Sequence, residues 1–435
     1  MYQKSFNPTK SGYKGSFNSS NKSRSGNKFA TKSHSENNQF KSTSNGSYFY
    51  KPGKKNNRPS RFQRRAHTSI DNYSKYIKKA SPASDVEKYT PKYKFADFNL
   101  VEQLKNNIET KGYIIPTPIQ DQAIPIVLDK KDIIGVADTG TGKTAAFIVP
   151  LINKIFMDRE QKVLIVAPTR ELASQIDTEL KDFARHMKIF SAQCIGGVNI
   201  RQQIFDLNRN PQFIIGTPGR LNDLIQRGRL KLNNVQNIVL DEVDRMVDMG
   251  FIDDIKKILS LLPKNRQSLF FSATVPPKIS NLIKGFSNNP ITISIKSSIT
   301  SENIEQDIVK VKGGQEKIEV LHELLIKEEF KKVLIFGRTK RGVEDLSNKL
   351  FERGFKSTSI HGDKPQTKRE KALRLFKQDY LNILVATDVA ARGLDISNIT
   401  HVINYDPPEN HEDYIHRIGR TGRANKRGKA LTFVS

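Results

Sequence analysis

The sequence predicts an α/β protein: two parallel-sheet domains in tandem behind a basic, disordered N-terminal tail. Three observations lead there. From about Pro91, short apolar runs alternate with amphipathic stretches, the texture of parallel strands covered by helices on both faces. This series occurs twice, on either side of a polar stretch at 297–303. Residues 1–88, by contrast, are dominated by Ser, Asn, Lys, Gly and Arg, and bury too little apolar surface to offset the entropy of ordering.

The tail comes first. Residues 1–90 hold 19 Lys and Arg against 4 Asp and Glu, more than half of the whole chain's net charge of +27. An excess of that size points to a polyanionic partner, and nucleic acid fits it best. Phe6, Tyr13, Phe17, Phe29, Phe40, Tyr48, Phe49, Tyr50 and Phe62 are interleaved with the basic residues and offer stacking faces to unpaired bases. The competing reading is a solubilising tail. One short helix is expected at 69–79 (SIDNYSKYIKK). As a flexible chain the tail has a reach on the order of 50 Å. No basic amphipathic helix with a broad apolar face is present, and no run is long enough to span a bilayer, so a membrane partner is not expected. The first residues carry charge without an apolar segment behind them, unlike a secretory signal. Cys194 is the single cysteine, which rules out an internal disulfide and a cysteine-based zinc site and suits a reducing, cytoplasmic setting.

The first domain, 89–296, shows strand-like runs at 132–137, 163–167, 212–216, 237–241, 268–272 and 291–295. A linker is expected at 297–303. The second domain, 304–435, repeats the pattern at 307–311, 332–336, 356–360, 382–386, 401–405 and 429–434. Ligands of open parallel sheets bind beyond the carboxyl ends of strands, which is where the chemistry-bearing residues fall.

Residues 132–144 (DIIGVADTGTGKT) read as a strand, a Gly-rich turn and a helix start. Gly140 and Gly142 can take positive φ and turn backbone N–H groups toward an anion, together with the positive end of the helix dipole. Lys143 supplies a point charge for β- and γ-phosphates and Thr144 a hydroxyl for Mg²⁺. The run Ile238-Val239-Leu240 ends in Asp241-Glu242. There Asp241 can hold the Mg²⁺ that bridges phosphate oxygens, and Glu242 can orient or deprotonate a water. The two together describe a nucleoside triphosphatase.

With these residues in place, DEVD at 241–244 and the loop at 137–144 resemble the DEAD-box family of RNA-dependent ATPases and helicases, and the resemblance runs through 95–435. It implies two RecA-like domains, ATP and Mg²⁺ as cofactors, and RNA as the partner, gripped with little sequence preference. Thr139 and Thr141 join Gly140, Gly142, Lys143 and Thr144 in the implied ATP site. GYIIPTPIQ at 112–120 resembles the family's adenine motif, with Phe95 upstream as a ring that stacks on the base, Tyr113 beside it and Gln120 reading the Hoogsteen edge. APTRELA at 167–173, the Gly196-Gly197 pair and TPGR at 217–220 imply RNA contacts from Pro168, Thr169, Arg170, Gly197, Thr217, Pro218 and Arg220. In the second domain Arg338, His361, Gly362, Gln366, Arg369, Thr387, Arg392 and Gly393 are implied on RNA, and Asp395 on the ribose. HRIGRTGR at 416–423 implies Arg420 and Arg423 as arginine fingers. Asp244, Ser272, Thr274 and His416 are implied to couple hydrolysis to strand separation.

Ala137 opens the loop where the general phosphate-loop pattern has Gly, and two positions depart from the family: Asp138 stands where Gln is common, and Val243 replaces Ala. The resemblance further implies a monomeric, bacterial-type protein acting on ribosomal or decay ribonucleoproteins. A DNA-directed helicase of the same superfamily and an RNA-binding scaffold with a lost ATP cycle are the alternative readings.

Overall fold

The computed structural model describes residues 89–295 and 303–434, except 139, 312, 313, 315, 392–395, 397 and 423–426. The tail with the helix expected at 69–79, and the linker as far as residue 302, lie outside the described residues.

Two parallel sheets form the framework. The first comprises β1 (Ile133–Val136), β2 (Val163–Val166), β3 (Ser191–Cys194), β4 (Phe213–Gly216), β5 (Asn237–Leu240), β6 (Gln267–Ser272) and β7 (Ile291–Ser294). Their spatial order is β3-β4-β2-β5-β6-β1-β7. The second comprises β8 (Ile304–Lys310), β9 (Val333–Phe336), β10 (Ser357–Ile360), β11 (Ile383–Ala386), β12 (His401–Asn404) and β13 (Gly428–Val434), in the order β10-β11-β9-β12-β13-β8.

The apolar runs become strands because both of their faces are covered. In β2, Val163 and Ile165 pack into one helix-covered cluster with Phe147 and Phe183, while Leu164 and Val166 pack into the opposite one with Leu240 and Met246. Successive side chains point to opposite faces, so a strand buried on both sides must be apolar throughout. The second sheet repeats the device, with Val333 and Ile335 on one side of β9 and Leu334 and Phe336 on the other.

β3 is the strand that periodicity does not announce. It reads Ser-Ala-Gln-Cys and lies at the sheet edge beside β4, where Ser191 and Gln193 are half-buried and need no apolar side chain. The carboxyl ends of β1, β2, β5 and β6 all open on one side of the first sheet and deliver Ala137, Ala167, Asp241 and Ala273 to it. Among the described residues, no helix is long and apolar enough to cross a membrane.

Candidate active site

The loop after β1 is held by its neighbour: the Ala137 amide donates to the Ser272 carbonyl at 3.0 Å. Gly140 and Gly142 take φ of 84° and 91°, the left-handed region expected of them. At Gly142 a Cβ atom would come within 2.4 Å of Gln120 Nε2, so space as well as torsion requires glycine. Thr141 Oγ1 donates to the Asp138 carbonyl at 2.7 Å and tightens the turn. Lys143 opens the helix Lys143–Met157, and its buried Nζ donates to the Ala137 carbonyl at 2.8 Å, which folds the ammonium back over the loop. Thr139 lies outside the described residues.

The expected adenine residues divide. Phe95 is only 3% exposed and packs edge-on against Phe98 and Tyr113, so its ring is turned into the core. Tyr113, half-buried, is the ring that reaches the cavity. The apolar cluster around Leu104 and Phe183 claims Phe95 because a phenyl ring has no polar atom to bring to the surface. Gln120 is also buried, and both ends of its amide bond to protein. Oε1 accepts from the Thr117 amide at 2.9 Å and Nε2 donates to the Gly142 carbonyl at 3.1 Å, linking the expected adenine motif to the phosphate loop.

Three carboxylates follow β5 within four residues, and each is balanced differently. Asp241 is 2% exposed, and burial pushes its carboxyl up to about 7, with the Lys143 charge opposing and Glu242 adding to the shift. Its Oδ1 accepts from the Glu242 amide at 3.0 Å. Glu242 adopts the left-handed conformation (φ 54°, ψ 53°) that turns the strand into the short helix Val243–Asp248. Its Oε2 meets Arg245 Nη1 at 2.7 Å, with both side chains buried. Asp244 Oδ2 accepts from the amides of Ala273 and Thr274, each at 3.0 Å, and from Thr274 Oγ1 at 3.4 Å. Ser272 Oγ closes the link: it accepts from the Asp244 amide at 3.2 Å and donates to the Thr274 carbonyl at 2.7 Å. Asp244, Ser272 and Thr274 are therefore one hydrogen-bonded unit. Val243 is fully buried in the apolar cluster below, away from these oxygens.

A cavity of about 750 Å³ collects these groups. Gly140, Gly142, Lys143, Thr144, Asp241 and Glu242 line it from the first domain and Arg420 from the second. Arg420 is buried, and its Nε donates to the His416 carbonyl at 3.3 Å. Arg423 and Asp395 lie outside the described residues. The remaining arginine of that turn, Arg417, is structural: it forms a bidentate pair with Asp388 at 2.6 and 2.7 Å.

The residues expected on RNA occupy the same side of the two sheets. Pro168 is buried, and Thr169 caps the helix Arg170–Phe183 through its Oγ1, which accepts from the Leu172 amide at 3.2 Å. The Arg170 guanidinium lies against Gly196 and Gly197, where a Cβ on Gly197 (φ 75°) would stand 2.3 Å from Nη1. Thr217 and Pro218 start the helix Pro218–Gln226, and the Thr217 amide donates to the Cys194 carbonyl at 3.1 Å. Arg220 Nη1 donates to Gln203 Oε1 at 2.9 Å. Arg338 is exposed, and its amide donates to Asp406 Oδ2 at 2.8 Å. His361 Nε2 pairs with Glu344 Oε2 at 3.1 Å, beside exposed Gly362, and its Nδ1 is buried without a partner. Thr387 is buried, and its carbonyl accepts from Ala390 and Ala391. Arg392 and Gly393 lie outside the described residues.

Two of these residues meet a partner that the spacing of motifs does not show. Arg369 Nη2 contacts Glu171 Oε1 at 2.8 Å, and Gln366 Nε2 donates to the same oxygen at 3.3 Å. Glu171 thus joins the first domain to the second. Arg245 and Glu171 are the residues that sequence reasoning missed. A cation three residues after Glu242 was a usable signal for Arg245, because the first turn of a helix stands close to its N-cap; nothing local pointed to Glu171.

Comparison with known proteins agrees with this geometry. A family model described as DEAD/DEAH box helicase matches residues 117–282, and one described as helicase conserved C-terminal domain matches 316–425. The chain is 49% identical over 345 residues to the ATP-dependent RNA helicase CshA of Listeria monocytogenes, covering 78% of this chain and 66% of that protein. It is 47% identical over 343 residues to the DEAD-box ATP-dependent RNA helicase CshA of Bacillus subtilis, covering 78% and 69%. The chain thus spans about two thirds of the length of these curated relatives. Among solved structures, Saccharomyces cerevisiae Dbp5 bound to RNA and ADP BeF3 is 32% identical with a TM-score of 0.69, covering 78% of this chain and 89% of that one. Mss116p bound to single-stranded RNA and AMP-PNP is 30% identical with a TM-score of 0.70, covering 77% and 72%.

Proposed function

This chain belongs to the DEAD/DEAH box helicase family, and on that premise we propose that it is an ATP-dependent RNA helicase. It hydrolyses ATP to ADP and phosphate and couples the cycle to local separation of short RNA duplexes. The observation that carries this reading is the shared cavity, in which the phosphate-loop Lys143, the carboxylates of Asp241 and Glu242 and the Arg420 of the other domain stand together.

In the reading, the loop amides and Lys143 bind the triphosphate, and Tyr113 covers the base. Gln120 acts on adenine from a side chain already tied to Gly142. A divalent cation fits the donor set: Thr144 and Asp241 offer oxygen ligands, and a desolvated carboxylate next to bound phosphates favours Mg²⁺ over an empty site. When bound, Mg²⁺ neutralises charge on the phosphate oxygens. Glu242 orients the attacking water, and Arg420, with Arg423, faces the γ-phosphate.

RNA is held across both domains by Thr169, Arg170, Gly197, Thr217, Arg220 and the second-domain set, through phosphates and 2′-hydroxyls more than base edges. The relatives that carry RNA in their structures support this class of partner. Because ATP and RNA each contact both domains, each favours the closed arrangement that the other needs. The unit of Asp244, Ser272 and Thr274 connects the two sites. We further read the protein as a cytoplasmic monomer that acts on ribosomal or decay ribonucleoproteins, with the basic tail as an RNA tether.

The test is the steady-state ATPase rate without nucleic acid, with single-stranded RNA and with DNA of the same sequence, each with and without Mg²⁺. Stimulation by RNA alone, lost on removal of Mg²⁺, is expected. Equal stimulation by DNA would return the reading to a DNA-directed helicase, and no ATPase under any condition would leave an RNA-binding scaffold.

A further inference from the structure

The region after β5 sets three buried carboxylates within four residues at the edge of the cavity. Asp241, Glu242 and Asp244 are each less than 10% exposed; Lys143 and Arg245 are buried beside them, and Arg420 of the second domain lines the same cavity. Asp244 is satisfied by backbone amides and Asp241 stands against Lys143. Glu242 has neither arrangement: the contact that holds its carboxylate is the 2.7 Å ion pair with Arg245. Its backbone is also the left-handed one that a side chain other than glycine rarely takes, so its position is imposed by surroundings and not by local preference.

We infer that Arg245 is a positioning residue for hydrolysis: it grips one oxygen of Glu242, Oε2, and so presents the other, Oε1, to the attacking water. The inference rests on the reading of Glu242 as the group that acts on water. The geometry suits it. Glu242 is the left-handed N-cap of Val243–Asp248 and Arg245 lies in its first turn, so the guanidinium reaches back over the strand-to-helix corner. Burial strengthens the pair and keeps solvent from replacing it. A guanidinium fixes both distance and direction, whereas a flexible ammonium fixes distance alone. Without the arginine, Glu242 would be a buried carboxylate free to rotate, and a misplaced base loses rate without losing substrate.

The experiment compares Arg245→Met, Arg245→Lys, Glu242→Gln and the double variant Glu242→Gln/Arg245→Met in RNA-stimulated ATPase, with affinities for a fluorescent ADP analogue and for single-stranded RNA measured alongside. Arg245→Met is expected to lower kcat roughly 10- to 100-fold while KM for ATP and both affinities stay within about twofold. Arg245→Lys is expected to recover part of the rate, and the double variant to be no slower than Glu242→Gln alone. An unchanged kcat in Arg245→Met overturns the inference, as does a loss of ADP and RNA affinity that persists in the Glu242→Gln background, which would mark a purely structural arginine. If Arg245→Met does not fold, Arg245→Lys and the double variant, which leaves no unpaired charge, decide the same question. Undiminished turnover in Glu242→Gln would instead overturn the reading of Glu242 itself.

Discussion

Glu171 of the first domain and Arg369 of the second form an ion pair at 2.8 Å, with both side chains buried. Gln366 donates to the same carboxylate oxygen, so two second-domain side chains converge on one first-domain acceptor. A buried pair of this kind repays its desolvation only while both members are present.

Arg369→Ala is therefore expected to leave a buried, uncompensated Glu171 and to loosen the joint between the domains. The RNA concentration for half-maximal ATPase should rise about tenfold, or about 1.4 kcal/mol. Glu171→Gln, which keeps a hydrogen-bonding group without the charge, should show a smaller rise. An RNA titration of the ATPase rate checks both, and an unchanged half-point in Arg369→Ala would detach this pair from RNA-linked closure.

The Asp244 unit predicts a contrast in stability. Asp244→Ala strips the acceptor from the part-buried amides of Ala273 and Thr274 and should cost about 1–3 kcal/mol. Thr274→Ala removes only a 3.4 Å contact and should cost less than about 1 kcal/mol. Urea unfolding monitored by circular dichroism measures both.

His401 is stacked on Phe330 with ring centroids 3.9 Å apart, and burial lowers its pKa to about 4. The native ring stays neutral down to about pH 4, while the unfolded one gains a proton near 6.5. Its contribution is therefore complete above about pH 6.5 and is lost as the pH falls toward 4, by up to about 1.4 kcal/mol per pH unit. His401→Phe should keep the packing and remove that slope. The quantity to measure is the wild-type minus variant difference in urea midpoint at pH 7 and pH 5, which should differ between the two.

Burial pushes the Cys194 thiol up to about 12. Maleimide labelling of the native protein should be at least about 100-fold slower than in urea, because the thiolate is the reactive form. Rapid labelling under native conditions would mean that β3 opens from its sheet edge.

The reading of the fold from sequence worked where the structure is buried on both faces. A short run such as VLIV, rich in β-branched residues, suits a strand covered on both faces, and the same rule missed β3, whose Ser191 and Gln193 lie at an edge that does not demand apolar side chains. The turn after β1 was equally legible, because the positive φ of Gly140 and Gly142 and the helix start at Lys143 are set by neighbouring residues. Burial of Phe95 was not legible: its type suits stacking on a base, and only the three-dimensional packing shows the ring held in the apolar cluster.

By itself, then, the sequence determined the α/β architecture, the glycine turn after β1 and the acidic strand end, all of which depend on periodicity or on spacing over a few residues. Tertiary structure alone decided which charge meets which. Gln366 and Glu171 are 195 residues apart along the chain and hydrogen-bonded in space, and Arg417 rather than Arg420 went to a structural pair with Asp388. Coulomb energy depends on distance and burial in three dimensions, and neither is encoded in the local pattern of the chain.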